Sequence, residues 1–198
     1  PYQARNFFPK KFDPNLPSIT DFGLFDAFSH TFSDSGSITS VFECLTKDFL
    51  YPDPNNLVTF LDNHDIQRIM YRVKGDVKRL KLALSLLLTA RGIPQILYGT
   101  EIGMMGGRDH GTLRADFPGG FPGDTRSAFT AQGRTEQEND IFNFTKQLLM
   151  LRRDHRALSL GSLVHFRPIR EVYTFFRISG NERIMVVINN SDEKQVVD

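Results

Sequence analysis

Several features that define large classes of protein are missing from this sequence of 198 residues. The single cysteine, Cys44, excludes a disulfide within the chain and a cysteine-rich metal site. The 24 Lys and Arg residues balance 23 Asp and Glu residues, so the net charge of +1 gives no field that would attract nucleic acid or an anionic membrane. No apolar run approaches the roughly 18 residues of a membrane span, and no signal segment is evident at the start. The composition therefore predicts a soluble globular protein and leaves the compartment, cytoplasmic or periplasmic, open, and the start at Pro1 predicts a piece of a longer chain.

The middle of the chain has the pattern of a β-α-β unit. A nearly continuous apolar run at residues 57–61 predicts a strand buried on both faces. Asp76 is a candidate N-cap for an amphipathic helix, and residues 93–98 supply a second short apolar strand. Two strands joined by one helix favour a parallel pair with a right-handed crossover. This region is therefore predicted to be α/β.

Further helices are predicted on both sides of this unit. Phenylalanines recur at helical spacing over residues 22–32, and amphipathic stretches cover residues 38–49 and 141–151. The charged run at residues 152–156 predicts the solvent-exposed end of the last of these helices. Cys44 lies beside an apolar face, which favours a buried structural thiol over a nucleophile.

The remaining segments have other patterns. Four prolines predict a loop over residues 1–17, and one brief strand follows at residues 18–20. Residues 99–134 are rich in glycine and lack periodicity, which is typical of a functional or a disordered loop. A period of two near the C-terminus predicts strands at residues 163–166, 172–178 and 184–188. Gly180-Asn181 is a candidate hairpin turn between the last two strands, and a separate antiparallel β domain is predicted to begin here.

The most informative segment is Phe-Leu-Asp-Asn-His-Asp at residues 60–65, where a buried strand meets four polar residues. Because side chains at the carboxyl ends of parallel strands face a shared active-site mouth, the position favours function. An equally good interpretation from spacing alone is an Asx-rich turn in which Asp62 or Asp65 caps a helix. A metal site at His64 and Asp65 is disfavoured, since neighbouring residues rarely chelate one ion and no third ligand is near. Phosphate-loop and Ser or Cys nucleophile motifs are also missing.

Three motifs in order resemble the α-amylase family of glycoside hydrolases. They are FLDNHD at residues 60–65, GIPQILYGTE at 92–101 and LLMLRRDHRAL at 148–158. DFPGGFPGD at residues 116–124 is most similar to the cyclomaltodextrinase and neopullulanase branch. The resemblance covers nearly the whole chain.

This resemblance implies an α/β fold: the C-terminal portion of a (β/α)8 TIM barrel followed by the start of an antiparallel β-sandwich. Residues 1–157 would be the barrel part and residues 158–198 the beginning of the sandwich. The sixth, seventh and eighth barrel strands would be residues 18–20, 57–61 and 93–98.

The family's reaction retains anomeric configuration through a nucleophilic carboxylate and an acid/base carboxyl. Its Asn-His-Asp step matches Asn63, His64 and Asp65. The resemblance implies that Asp65 is a third carboxylate that stabilises the oxocarbenium-like transition state, and that Asn63 and His64 bind sugar hydroxyls. It also implies that Asp109 and Arg114 form an acidic and basic pair at the next sugar, although one extra residue between them leaves an ordinary solvated ion pair as an alternative.

The nucleophile and the acid/base would lie upstream of Pro1, so we expect the chain alone not to hydrolyse glucan. The complete protein is expected to cleave α-1,4-glucosidic bonds of cyclomaltodextrins or maltodextrins. A non-catalytic amylase-like scaffold and a transglycosylase are the alternatives. No cofactor and no metal are implied. The expected partners are the oligosaccharide and the missing N-terminal part of the barrel, and the open edge beside residues 18–20 predicts association, including homo-oligomerisation.

Overall fold

In the described part of the chain, the α-helices and two short parallel strands lie within residues 22–160, and an antiparallel sheet follows them. The computed structural model describes residues 18–107 and 109–196, so the loop predicted for residues 1–17 lies outside the described residues. The α-helices are α1 (Phe22–Thr31), α2 (Thr39–Leu45), α3 (Ile69–Arg72), α4 (Val77–Thr89), α5 (His110–Leu113), α6 (Glu136–Asp154) and α7 (Arg156–Leu160). The strands are β1 (Val58–Phe60), β2 (Ile93–Gln95), β3 (Ser162–His165), β4 (Val172–Ser179) and β5 (Glu182–Asn189). Short 3-10 turns lie at Asp48–Leu50, Pro54–Asn56 and Thr100–Ile102.

β1 and β2 form the parallel pair that the β-α-β pattern predicts, with Val58 beside Ile93. The strand expected at residues 18–20 is reduced to a single parallel bridge between Thr20 and Val58. It ends there because Asp21 is already the N-cap of α1. The strand predicted at residues 18–20 therefore adds only Thr20 to the edge of the parallel sheet.

α4 connects the two strands and buries one face. Asp76 is its N-cap, as predicted, and the carboxylate accepts hydrogen bonds from the backbone N–H of Lys78 at 2.8 Å and of Arg79 at 3.1 Å. The buried apolar residues of the helix are Leu80, Ala83, Leu84, Leu86, Leu87 and Leu88. α6 packs against α4 and begins with a capping box between Thr135 and Glu138.

The three C-terminal strands are all present and form an antiparallel sheet in the order β3-β4-β5. Gly180-Asn181 makes the predicted two-residue turn, and Gly180 has a φ of +58° that glycine adopts without strain. Tyr173, Phe175 and Ile188 of this sheet lie in the same apolar cluster as buried residues of α1, α2 and α4. The sheet is thus packed directly on the helical part.

The second predicted helix is shorter than its apolar pattern suggests. α2 ends at Leu45, and the chain continues as a 3-10 turn at Asp48–Leu50. The Asp48 carboxylate lies 2.6 Å from the guanidinium of the buried Arg91, a contact that helical spacing does not reveal. Cys44 packs partly buried against the core, and burial raises the pKa of its thiol to about 11. Partial burial and a raised pKa agree with a structural thiol, which stays a prediction.

The prediction that Arg152 lies at a solvent-exposed helix end is wrong. Arg152 is only 8% exposed, and its guanidinium donates to the carbonyl oxygens of Leu88 at 2.9 Å, Ala90 at 3.0 Å and Gly92 at 2.5 Å. These carbonyls lie at and just beyond the C-terminal end of α4, where a helix leaves its last C=O groups without intrahelical partners. The next residue, Arg153, is 68% exposed in its side chain, as the charged run predicts.

Candidate active site

The loop after β1 is anchored by a buried carboxylate. Asp62 is 1% exposed, and its Oδ2 accepts a hydrogen bond from the backbone N–H of Ile69 at 2.8 Å. The Thr100 hydroxyl, 3.1 Å from the same oxygen, also donates to the carboxylate. Burial raises the pKa of Asp62, and the two hydrogen bonds oppose that increase. Since Ile69 begins α3 and Thr100 follows β2, one side chain ties together the loops after both parallel strands.

Asn63, His64 and Asp65 follow at the carboxyl end of β1. The Asn63 Oδ1 accepts the backbone N–H of Asp65 at 2.8 Å, which fixes an Asx turn. The His64 Nε2 lies 3.1 Å from the Asp65 Oδ2, and the two side chains are 63% and 56% exposed. Of the two acids proposed as helix caps, Asp62 binds the start of α3, whereas Asp65 presents its carboxylate to solvent.

Arg114 reaches the Asp65 carboxylate from the loop after β2. Its Nη2 lies 2.5 Å from the Asp65 Oδ1, and its Nε donates to the carbonyl oxygen of His64 at 3.1 Å. Asp109 accepts the backbone N–H of Thr112 at 2.9 Å and thereby caps α5. Among the residues that the structure describes, the carboxylate partner of Arg114 is therefore Asp65 and not Asp109.

Two residues that no sequence motif marks as site residues, Arg68 and Tyr98, connect these loops. Arg68 is fully buried, and its guanidinium donates to the carbonyl oxygens of Tyr98 at 2.7 Å and of Leu113 at 3.2 Å. The Tyr98 hydroxyl donates to the carbonyl oxygen of Ala115 at 3.0 Å. The one available signal was the place of Arg68 three residues after Asp65, but an isolated arginine at a helix start is more often a surface residue.

The chemical groups at this site are the Asp65 carboxylate, the His64 imidazole and the Arg114 guanidinium. Over residues 18–107 and 109–196, no three His, Cys, Asp or Glu side chains are grouped as metal ligands. None of the helices in the same ranges is both long and apolar enough to cross a bilayer. An exposed carboxylate beside an imidazole and a guanidinium can stabilise a developing positive charge and can bind hydroxyl groups.

Comparisons with known proteins agree with the motifs. The family model for the α-amylase catalytic domain matches residues 38–156, and the model for the cyclo-malto-dextrinase C-terminal domain matches residues 163–198. The cyclomaltodextrinase of Thermoanaerobacter pseudethanolicus is 35% identical over 147 residues, which cover 73% of this chain and 23% of that protein. Neopullulanase 2 of Thermoactinomyces vulgaris is 31% identical over 152 residues, which cover 75% of this chain and 24% of that protein. The chain thus spans about a quarter of the length of these curated relatives.

Solved structures share the fold. The α-amylase from H. orenii superimposes with a TM-score of 0.76 at 25% identity, covering 95% of this chain and 41% of that one. The α-amylase from Geobacillus thermoleovorans, complexed with acarbose, superimposes with a TM-score of 0.75 at 27% identity, and the superposition covers 91% of this chain and 38% of that one. The predicted architecture, part of a (β/α)8 barrel followed by an antiparallel sheet, is confirmed. With a catalytic-domain match over more than half of its length, this chain belongs to the α-amylase family.

Proposed function

We propose that the protein containing this chain is a retaining glycoside hydrolase that cleaves α-1,4-glucosidic bonds of cyclomaltodextrins or maltodextrins. The observation that carries the proposal is the exposed Asp65 carboxylate at the carboxyl end of β1, with His64 and Arg114 against it. Relatives named cyclomaltodextrinase and neopullulanase support this substrate class. So does the match of residues 163–198 to the cyclo-malto-dextrinase C-terminal domain.

In this proposal Asp65 stabilises the transition state rather than attacking the sugar. The cleaved glucosyl unit becomes oxocarbenium-like, and a fixed anion beside that positive charge lowers the energy of the transition state more than that of the neutral substrate. Asn63 and His64 bind hydroxyls of the same sugar, and Asp109 and Arg114 contact the next one. The nucleophile and the acid/base are assigned to residues upstream of Pro1, in agreement with the resemblance.

We also propose that the catalytic barrel part extends to residue 157 and that the C-terminal β domain begins at residue 158. The family matches, which end at residue 156 and resume at residue 163, support a boundary here. The proposed boundary then lies within α7, which leads directly into β3. Asp65 and its partners all lie in the first unit.

The test is Asp65→Asn in the protein that carries this chain together with the upstream segment. The amide keeps the size of the side chain and removes its charge. Loss of one preorganised electrostatic contact costs about 3 kcal/mol, so kcat on β-cyclodextrin and maltoheptaose should fall about a hundredfold or more. Reducing-sugar release measures the rate, and circular dichroism checks that the variant is folded.

Asp140→Asn is the matched control. Asp140 is also an exposed acid in an ion pair, 2.6 Å from the Lys81 Nζ, but it lies on α6. Its replacement should leave kcat within about twofold, as expected for a surface substitution. Near-normal turnover of Asp65→Asn would refute the role given to that carboxylate. A folded wild-type protein that binds maltoheptaose without cleaving it would instead favour the scaffold alternative.

A further inference from the structure

The backbone on both sides of Arg114 is held by side chains from other loops. The carbonyl oxygen of Leu113 accepts a hydrogen bond from the Arg68 Nε at 3.2 Å. The carbonyl oxygen of Ala115 accepts one from the Tyr98 hydroxyl at 3.0 Å. Arg114 itself is half exposed, so its own side chain is not enclosed by packing.

The two side chains that hold these carbonyls also fix each other. Arg68 is fully buried, its Nη1 donates to the Tyr98 carbonyl oxygen at 2.7 Å, and its guanidinium carbon lies 4.9 Å from the centroid of the Tyr98 ring. The backbone N–H of Arg68 donates to the Gly106 carbonyl oxygen at 2.9 Å. Arg68 follows β1 and Tyr98 follows β2, so the contact joins the two strand ends that form the site.

The far end of Arg114 contacts two consecutive residues of the loop after β1. Its Nη2 binds the Asp65 carboxylate at 2.5 Å, and its Nε binds the His64 carbonyl oxygen at 3.1 Å. A planar guanidinium can bind a side chain and a backbone carbonyl at once, which fixes the carboxylate relative to its own loop. Because the peptide groups on both sides of Arg114 are already held, no further ordering of the backbone is needed when its guanidinium makes these contacts.

We propose that Arg68 and Tyr98 are positioning residues that place Arg114 against Asp65, so that Arg114 orients this carboxylate in addition to any contact with sugar. The catalytic consequence rests on the proposed function. The positioning does not depend on turnover and can be tested without catalysis. Arg68 is fully buried and its replacement can prevent folding, so Tyr98→Phe carries the test: it removes the hydroxyl and keeps the ring.

The first measurement is the rate at which phenylglyoxal modifies Arg114 in the protein that carries this chain together with the upstream segment, followed by peptide mass spectrometry. Arg126 provides an internal reference, because it is also exposed and ion-paired, 2.7 Å from Glu138. The rate for Arg114 relative to Arg126 should rise about threefold in Tyr98→Phe and in Asp65→Asn, within the range that an exposed ion pair allows.

Tyr173→Phe is the matched control, since its hydroxyl lies 2.7 Å from the His165 Nδ1 in the C-terminal sheet. This variant should leave the relative rate of Arg114 modification unchanged. An unchanged rate in Tyr98→Phe would overturn the positioning role. An equal rise in Tyr173→Phe would also overturn it, because that rise would reflect general loosening of the fold.

The second measurement is kinetic and uses the protein with its upstream segment. Tyr98→Phe should lower kcat on maltoheptaose about tenfold, a larger factor than its effect on KM, since the misplaced Asp65 carboxylate acts mainly on the transition state. Because Tyr98 acts through Arg114, adding Tyr98→Phe to Arg114→Ala should cause no further loss, and Arg114→Lys should recover part of kcat. Additive losses would refute the coupling. If the wild-type protein proves inactive, the proposed function fails, while the modification rates still decide the positioning role.

Discussion

Replacing Arg152 by Met tests whether this buried arginine stabilises the fold through its hydrogen bonds to backbone carbonyls, although the sequence places it in a charged run. Met keeps most of the aliphatic stem and removes the guanidinium. Three carbonyl oxygens, those of Leu88, Ala90 and Gly92, then lose a charged donor at 2.5 to 3.0 Å. Hydrogen bonds to charged groups contribute about 1.5–3 kcal/mol each, so the gross loss is on the order of 6 kcal/mol.

The net loss is smaller because the buried charge itself carries a cost. Burial lowers the pKa of Arg152 to about 10, which shows that the protein disfavours the charged form. Met avoids that desolvation cost, and we expect the free energy of unfolding to fall by about 3 kcal/mol. That amount is a large part of the 5–15 kcal/mol that stabilises an ordinary domain.

Urea unfolding followed by circular dichroism measures this change. The midpoint should fall while the m-value stays the same, since the surface exposed on unfolding is unchanged. Arg153→Met is the matched control on the same helix: its side chain is 68% exposed and binds Asp154, so its replacement should change the free energy of unfolding by less than about 0.5 kcal/mol. Equal effects of the two substitutions would refute the buried role of Arg152.

Two other predictions concern buried titratable groups. Burial raises the pKa of Asp62 above 3.8 in the folded state, so its contribution to stability is fully present below pH 3.8 and is lost as the pH rises through the raised pKa. As the pH rises from about 4 to 7, the free energy of unfolding should therefore fall less in Asp62→Asn than in the wild type. Urea unfolding at each pH measures both, and parallel dependences on pH would contradict this prediction. Because the thiolate is the reactive form, the pKa of about 11 for Cys44 predicts that Ellman's reagent at pH 8 reacts with the native thiol about a hundredfold more slowly than with the thiol of the unfolded chain. Similar rates in the two states would show that folding does not suppress ionisation of the thiol.

The secondary structure was predictable where a periodic pattern and a local cap agree. α4 has both, because apolar residues recur at helical spacing and Asp76 precedes them. The C-terminal hairpin also has both, with period two on each side of Gly180-Asn181. Where one signal is missing, the prediction is less accurate. The apolar spacing over residues 38–49 has no stop signal, and it overestimates α2, which ends at Leu45.

The contacts of the arginines were not predictable. Arg152 lies in a charged run, yet its acceptors are 60 to 64 residues away in the sequence. Arg114 and Asp65 are separated by 49 residues, and Arg114 lies closer in sequence to Asp109, which caps a helix instead. Local patterns report which residues share a face. They do not report which charge a long side chain will reach after the loops have folded.

The candidate site depends on placing two acids, three residues apart, in opposite environments. Asp62 is buried, and its carboxylate accepts hydrogen bonds from the Ile69 backbone N–H and the Thr100 hydroxyl. These bonds restrict the conformation of the loop that follows Asp62. Asp65 can then be exposed without being mobile, because the loop that carries it is fixed at its buried end and its carboxylate is held by Arg114. Exposure is required for contact with a sugar, and fixation is required for an electrostatic effect that needs no reorganisation during the reaction. Asp65 meets the first requirement, and Asp62 and Arg114 help to meet the second, so the buried acid supports the role proposed for the exposed one.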